Sequence, residues 1–344
     1  MNKLLSRTEF REGVFARDSG KCVICGAAGQ DAHHILERRL FPDGGYYLDN
    51  GATLCGQHHV EAEQTTLSTE RIREKAGIIN VILPPHFYSD VRYDKWGNTF
   101  IKNDTLRTTG ELYWDESVQK ILNSVPQAVP FSHYVKYPRT WHLPWSGCVG
   151  KDDRVLKDLP FFRGEIIVTA KLDGENTSMY NDHVHARSVD GNSHWTQSWV
   201  RNLHSKIRHN IPYGWRICGE NLFARHSISY DNLESYFYIF SIWNDKNECL
   251  SWDETVEYSQ LFEIPTVPVI YRGQFSGNIN EFHKEIWEGK YDERQNEGYV
   301  VRNAGKFAYY TFAKNCGKYV RKNHVTSSSH WKFEKIEKNK LAAE

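Results

Sequence analysis

The sequence predicts an α+β protein with a small metal-stapled module first, a connecting module next, and a larger domain of antiparallel sheets with flanking helices. Three observations carry this expectation. Seven apolar, β-rich runs (GEIIVTAKL, HVHARSV, WRICGENLF, YFYIFSIW, TVPVIYRG, EGYVVRN and KFAYYTFAK) follow one another beyond residue 136, and only the stretches 194–208 and 278–288 between them read as helix. The first sixty residues gather three of the seven cysteines among closely spaced histidines and glycines. Between these regions, residues 86–135 hold turn signals and one helix, 115–124. The boundaries are placed at 1–80, 81–135 and 136–344.

In the first module, residues 66–80 read as a helix with Ser68 or Thr69 as N-cap and a stop near Gly77, and Pro84-Pro85 then breaks the chain. A chain of 344 residues suffices for two or three domains with their own cores. The 11 Trp, 19 Tyr and 17 Phe exclude a largely disordered protein. No stretch approaches the roughly 18 uncharged apolar residues of a membrane span. The start, MNKLLSRTEF, turns polar too early for a signal peptide, so a cytoplasmic protein is expected. Net charge is zero, but Arg302 to Lys340 carry ten Lys or Arg against two Glu. That excess suits either phosphates or a solvated terminal helix.

Cys22-x-x-Cys25 is the two-thiolate knuckle that tetrahedral zinc requires, and Cys55-x-x-His58 supplies a second pair thirty residues after the first. A Cys3His set closes a structural Zn2+ site, and a module this small needs the metal to hold its fold. The remaining cysteines, Cys148, Cys218, Cys249 and Cys316, are scattered, which is metal-site usage and not a disulfide framework.

Between the two pairs lie Ala32-His33-His34-Ile35, then Leu48-Asp49-Asn50-Gly51, then His58-His59. Over residues 10–64 this arrangement resembles the HNH nucleases and their ββα-metal motif. The resemblance implies His34 as the general base toward water, and Asn50 as the residue that holds the hairpin and orients it. It implies His59 and His33 as ligands of a catalytic divalent cation, Mg2+ or Mn2+. Two positions depart from the common pattern. His58 stands where many members have Cys, and Glu63 stands where a further metal-binding His often sits. A zinc module that binds nucleic acid without cutting it is the competing reading.

In the third domain, the run Ile166 to Lys171 ends an apolar strand on a lysine, just before the turn Leu172-Asp173-Gly174. A desolvated lysine has a lowered pKa and attacks the α-phosphate of a nucleotide. Further along come Gly219-Glu220-Asn221, the aromatic run Tyr236 to Ile242, Glu297-Gly298-Tyr299 and Lys314 after KFAYYTFA. Lys, Glu, aromatic, Glu, Lys in that order resembles the motif series of the covalent nucleotidyltransferases, the ligases and capping enzymes. The run Lys136 to Ser146 looks like the leading segment of phage-type RNA ligases, so the resemblance spans about 136–325.

What that resemblance implies is an ATP-dependent ligase that seals 3′-OH and 5′-phosphate ends through a lysyl-AMP on Lys171. It implies nucleotide contacts from Asp173, Arg187, Glu220 and Lys314, and adenine stacking on Phe240, with Tyr238 as the other aromatic candidate. Glu297 would hold Mg2+ or Mn2+. Phe312 stands where family members often have a second lysine. About thirty residues follow Lys314, too few for the C-terminal OB domain of DNA ligases, which points to the RNA-ligase branch. The expected partners are RNA or DNA strands, foremost a nicked duplex, with cutting or nicking and sealing in one chain, in a phage or host-cytoplasm setting. A GTP-using capping-like transferase is the further alternative.

Overall fold

In a computed structural model, the chain divides into two compact units, Met1–Val135 and Lys136–Glu344. The structure describes residues 3–101, 104–126, 129–151, 153–157, 159, 163–189, 194–275, 277–288, 296–322 and 336–342. Most of the basic tail, 323–335, thus lies outside the described residues. No helix among the described residues is long and apolar enough to cross a membrane.

The first unit opens with α1 (Arg7–Arg17), started by a capping box between Ser6 and Glu9. Its Phe10 and Val14 are buried and lie against the hairpin of β1 (Asp31–His34) and β2 (Gly51–Leu54). The hairpin is antiparallel, with His34 opposite Gly51 and His33 opposite Ala52. A Cβ at Gly51 would come within 2.5 Å of Val14 and 2.7 Å of Phe10, so the helix reaches the strand only because this residue has no side chain. Helix α2 (Gly56–Glu63) leaves directly from Cys55, which completes a ββα arrangement. Helix α3 (Thr69–Lys75) starts on Ser68, whose side chain accepts from the Arg71 N–H, and ends just before Gly77 (φ +64°).

Residues 81–135 belong to this same unit. They form a small sheet of β3 (Thr99–Phe100), β4 (Arg107–Thr108) and β5 (Phe131–Ser132), together with α4 (Glu116–Leu122) capped by Asp115. They share a core with the ββα segment, because Leu36, Leu40 and Phe41 pack with Phe87 and Tyr93. Buried Arg107 donates to the equally buried Asp94 at 2.7 Å, which keeps that charge paired.

The second unit stacks two antiparallel sheets. Its strands and helices run β6 (Glu165–Lys171), β7 (Glu175–Met179), β8 (Val184–Ala186), α5 (Ser198–Ile207), β9 (Arg216–Asn221), β10 (Phe237–Trp243), β11 (Glu248–Cys249) and α6 (Trp252–Leu261). They continue as β12 (Val269–Gln274), α7 (Ile279–Ile286), β13 (Gly298–Asn303), β14 (Phe307–Ala308) and β15 (Cys316–Val320). The six-stranded sheet has the order β14-β11-β10-β9-β7-β8, and the four-stranded sheet the order β12-β6-β13-β15.

Two features of this unit depart from the sequence expectation. KFAYYTFAK is not one strand. Phe307–Ala308 pair with β11, and Tyr309–Lys314 then wind into a 3-10 helix because Phe307 and Phe312 both turn into the cluster around Trp243. Among the described residues the last strand is β15, beyond that run. Helix α6 is a further addition, started by the capping box of Ser251 and Glu254.

Period-two alternation decides which way β6 faces. Ile166 and Val168 point to α7 and pack with Phe282, Ile286, Tyr299 and Val301. Ile167 points the other way, into a cluster with Leu222, Tyr238 and Val267 between the sheets. Lys171 shares the parity of Ile167, so the strand delivers it to the cleft.

Candidate functional site

Two separate constellations emerge, one in each unit. In the second unit a cavity of about 760 Å3 opens between the sheets. It is lined by Thr169 and Lys171 of β6, Val300 and Arg302 of β13, Lys318 of β15, and Glu220 and Phe240 from the facing sheet. Registry explains the first group. Val300 lies opposite both Thr169 and Lys318, so all three side chains share one face, and Lys171 is two residues further on that face.

Lys171 is ion-paired and hydrogen-bonded to Glu297, itself only 7% exposed. Burial alone would lower the lysine pKa, but the charges of Glu297 and then Glu220 outweigh it and hold Lys171 above its ordinary value. This corrects the expectation of a lowered pKa: Lys171 is held charged by the carboxylates buried with it. Burial pushes Glu220 up to about 8, with Lys171 opposing and Glu297 and Asp173 adding to the rise. Its Oε1 accepts from the Gly174 N–H at 3.1 Å, which ties it to the turn after Lys171.

Of the sequence-predicted residues, Lys171, Arg187, Glu220 and Phe240 line the cavity, and Glu297 reaches it through Lys171. Phe240 meets Tyr137 edge-on at 5.0 Å, whereas the alternative Tyr238 is buried and its hydroxyl accepts from the Glu234 N–H. Two residues are not where they were expected. Asp173 turns its Oδ2 toward the N–H groups of Ser227 and Ile228, at 2.8 and 2.9 Å, and pins that loop without lining the cavity. Lys314 is exposed at the end of the 3-10 helix and does not line the cavity.

Lys318 lines the cavity. It is partly buried, faces Asp153 at 3.8 Å and has its pKa lowered, first by burial. The sequence signal was present as the alternation Cys316-Gly317-Lys318-Tyr319-Val320, hidden behind the stronger aromatic run before it.

In the first unit, Cys22, Cys25, Cys55 and His58 converge with all donor atoms within 4.8 Å of one another. Cys25 and Cys55 sulfurs are 3.9 Å apart, and His58 Nδ1 lies 3.4 Å from Cys22 and 3.2 Å from Cys55. Tetrahedral zinc with its usual bond lengths requires S···S edges of about 3.8 Å and S···N edges of about 3.5 Å. Burial would raise the Cys22 thiol, but N–H groups of Cys55, Cys25 and Ile24 bring it down to about 6. The donor set fits Zn2+.

A second cluster joins His33, His59 and Glu63. Glu63 Oε1 is 3.3 Å from His59 Nε2 and 3.7 Å from His33 Nδ1, and Asp31 stands 3.4 Å from His59 Nδ1. Glu63, which the sequence marked as a departure, is therefore the third member of the set. Burial lowers the His33 pKa, so this ring is neutral and able to ligate.

His34 stacks on Phe10 at 4.4 Å, and burial brings its pKa down to about 4. Asn50 is 1% exposed and works as a clamp: Oδ1 accepts from the Leu36 N–H at 3.0 Å, and Nδ2 donates to the carbonyls of Leu36 and Gly45 at 3.1 Å. Strand alternation separates the two histidines, with His33 toward α2 and His34 toward α1. A cavity of about 360 Å3 covers both and is rimmed by the exposed Arg7, Arg11 and Arg38.

No curated protein matches the chain. Among solved structures, a Naegleria gruberi RNA ligase variant in its apo form shares 19% identity, with 47% of this chain covering 52% of that one at a TM-score of 0.36. An archaeal ATP-dependent RNA ligase shares 17% identity, with 46% covering 43% at 0.35. A further Naegleria gruberi variant, solved with ATP and Mn, shares 15%, with 55% covering 60% at 0.35. The chain thus spans about half the length of the solved ligases it matches. Residues 164–320, which carry the cavity groups from Lys171 to Lys318, match the family model of RNA ligases.

Proposed function

We propose that the chain is an ATP-dependent polynucleotide ligase of the RNA-ligase kind that also carries an HNH-type endonuclease or nickase. The observation that supports the ligase most directly is the Lys171–Glu297 pair at the floor of a nucleotide-sized cavity, within the segment that matches the RNA ligase family.

In the first step Lys171 Nζ, once deprotonated, attacks the α-phosphorus of ATP; a P–N bond forms and pyrophosphate leaves. Glu297 and Glu220 keep the ammonium charged in the free enzyme, so attack requires that Glu297 be drawn off its lysine. A divalent cation, when bound at Glu297, supplies charge screening for the triphosphate. Lys318 faces the same side of the sheet and meets the negative charge that grows on the α-phosphate, in place of Lys314. Phe240 offers its face to the adenine, and Glu220 reaches the ribose hydroxyls. The AMP then passes to a 5′-phosphate, and an adjacent 3′-OH attacks that phosphorus, expelling AMP and sealing the strand.

In the first unit, Cys22, Cys25, Cys55 and His58 would hold structural Zn2+. His33, His59 and Glu63 would hold a divalent cation that polarises the scissile phosphate. His34 accepts the proton of the attacking water, and Asn50 fixes the loop behind it. Nucleic acid, foremost a nicked duplex, is the shared partner of both units.

Labelled ATP and GTP decide the ligase reading. A covalent adduct with ATP that disappears in Lys171→Ala is expected, and an adduct with GTP alone overturns it in favour of a capping-like transferase. For the nuclease, cleavage of nicked or intact duplexes with Mg2+ or Mn2+ is expected to vanish in His34→Ala. Absence of cutting on every RNA, DNA and hybrid substrate leaves a zinc nucleic-acid-binding module instead.

A further inference from the structure

The centre in the first unit contains a charged group that neither the zinc pairs nor the two histidines account for. Lys95 comes from the segment after the ββα motif, and it is 4% exposed. Its ammonium donates to the His34 carbonyl at 3.0 Å and sits 3.1 Å from Glu63 Oε1 and 3.5 Å from Glu37 Oε2. Glu63 Oε1 is the same oxygen that faces His59 and His33. One carboxylate oxygen therefore serves the lysine and the two histidines together.

The turn that presents Lys95 is built for it. Asp94, buried, accepts from the N–H groups of Trp96 and Asn98 at 2.9 and 3.0 Å and is paired with Arg107. Gly97 sits at φ +82°, where a side chain would be strained and its Cβ would press on Phe87 and Leu40. Trp96 Nε1 donates to the Glu63 carbonyl at 2.7 Å, fixing the turn to the end of α2. A buried lysine held this firmly beside a metal-ligand set is not a solvated side chain that happens to point inward.

Charge accounting indicates its role. Lys95 offsets one of three carboxylates, Glu37, Glu63 and Asp31, that stand around it and the two histidines. A divalent cation at Glu63 would come close to this buried ammonium, whose repulsion water screens little. A phosphodiester arriving with the cation brings the negative charge that relieves the repulsion. Arg7, Arg11 and Arg38 are exposed at the rim, where water screens them.

We propose that Lys95 couples the divalent cation to the phosphodiester: its ammonium opposes binding of the ion alone and contacts the phosphate that arrives with it, so that the two bind synergistically. This rests on the reading of His33, His59 and Glu63 as the nuclease metal site.

The test is Mn2+ titration of the zinc-loaded full chain in a His34→Ala background, which prevents cleavage, with and without a double-stranded oligonucleotide. Only the Mn2+ binding lost on adding His59→Ala is counted, which removes any contribution from the ligase unit. With Lys95 present, the oligonucleotide is expected to tighten Mn2+ by roughly tenfold or more. Lys95→Met is expected to bind Mn2+ alone roughly tenfold tighter and to lose that synergy, while Lys95→Arg keeps it. Retained zinc content in each variant shows that the module has folded. If folded Lys95→Met matches the parent in both affinity and synergy, the coupling role is wrong and the metal site stands. If His59→Ala removes no Mn2+ binding at all, the metal-site reading itself is wrong.

Discussion

At the scale of single residues, the proposed ligase site turns on which lysine faces the cleft. Lys318 lies opposite Val300 on the face that carries Lys171, whereas Lys314 is exposed on a 3-10 turn. Lys318→Ala is therefore expected to slow lysyl-AMP formation by about 10²-fold, as loss of a preorganised cationic contact does. Lys314→Ala is expected to stay within about twofold of the parent, since exposed charges away from the reacting atoms contribute little. Single-turnover adduct formation with labelled ATP measures both, and the reverse ranking would restore Lys314. Asp173 changes role in the same way, since its Oδ2 is taken up by the Ser227–Ile228 loop.

At the scale of elements, two packing arrangements make testable claims. Helix α1 rests on Gly51 so closely that any Cβ meets Val14 and Phe10. Gly51→Ala is expected to cost about 1–3 kcal/mol of first-unit stability, by overpacking at the base of the hairpin. Denaturant melts of the zinc-loaded chain check this, and an unchanged midpoint would contradict it.

Strand β8 carries His185, 3% exposed, with Nδ1 set on the Ala186 carbonyl. Burial brings its pKa down to about 4 from an ordinary 6.5. A histidine depressed on folding contributes stability that is fully present above pH 6.5 and is lost as pH falls from there through about 4. The expected loss in the second unit is on the order of 2–3 kcal/mol. His142 and His204 are also lowered, first by burial, and add to it with the same sign. His185→Phe is expected to flatten this part of the pH profile in urea melts between pH 7 and 4; a profile as steep as the parent's would place the dependence elsewhere.

At the scale of the whole molecule, the chain carries two sites on two units with separate cores. Their chemistries are expected to separate by mutation. Lys171→Ala should leave duplex cleavage at parent level, and His34→Ala should leave adduct formation at parent level. A zinc-selective chelator with Mg2+ kept in excess should destabilise the first unit, because the proposed zinc would tie its two ligand pairs together. Circular dichroism and zinc release followed together test this, and a first unit that keeps its melt after zinc loss would refute it.

Much of this was legible in the sequence because it depends on short-range chemistry. The Cys22/Cys25 and Cys55/His58 spacings, the Ser68 cap, and the strand ending on Lys171 are set by a few neighbouring residues, and local geometry follows directly from them. Other features depended on pairing between distant strands or on the path of a connecting segment. The run KFAYYTFAK has the composition of a strand, but Phe307 and Phe312 both go to the Trp243 cluster, so the chain winds and the pairing edge passes to Cys316–Val320. Glu63 joined the histidines only because α2 brings it back over the hairpin, and Lys95 reached them from 61 positions beyond His34. The sequence by itself determined the pairing of Cys22 and Cys25 with Cys55 and His58, and the lysine at the end of its strand, since those rest on residue type and local spacing. Tertiary structure decided which lysine faces the nucleotide cavity, which carboxylate completes the metal set, and that Lys171 is stored charged, since registry and burial depend on residues far apart in the chain.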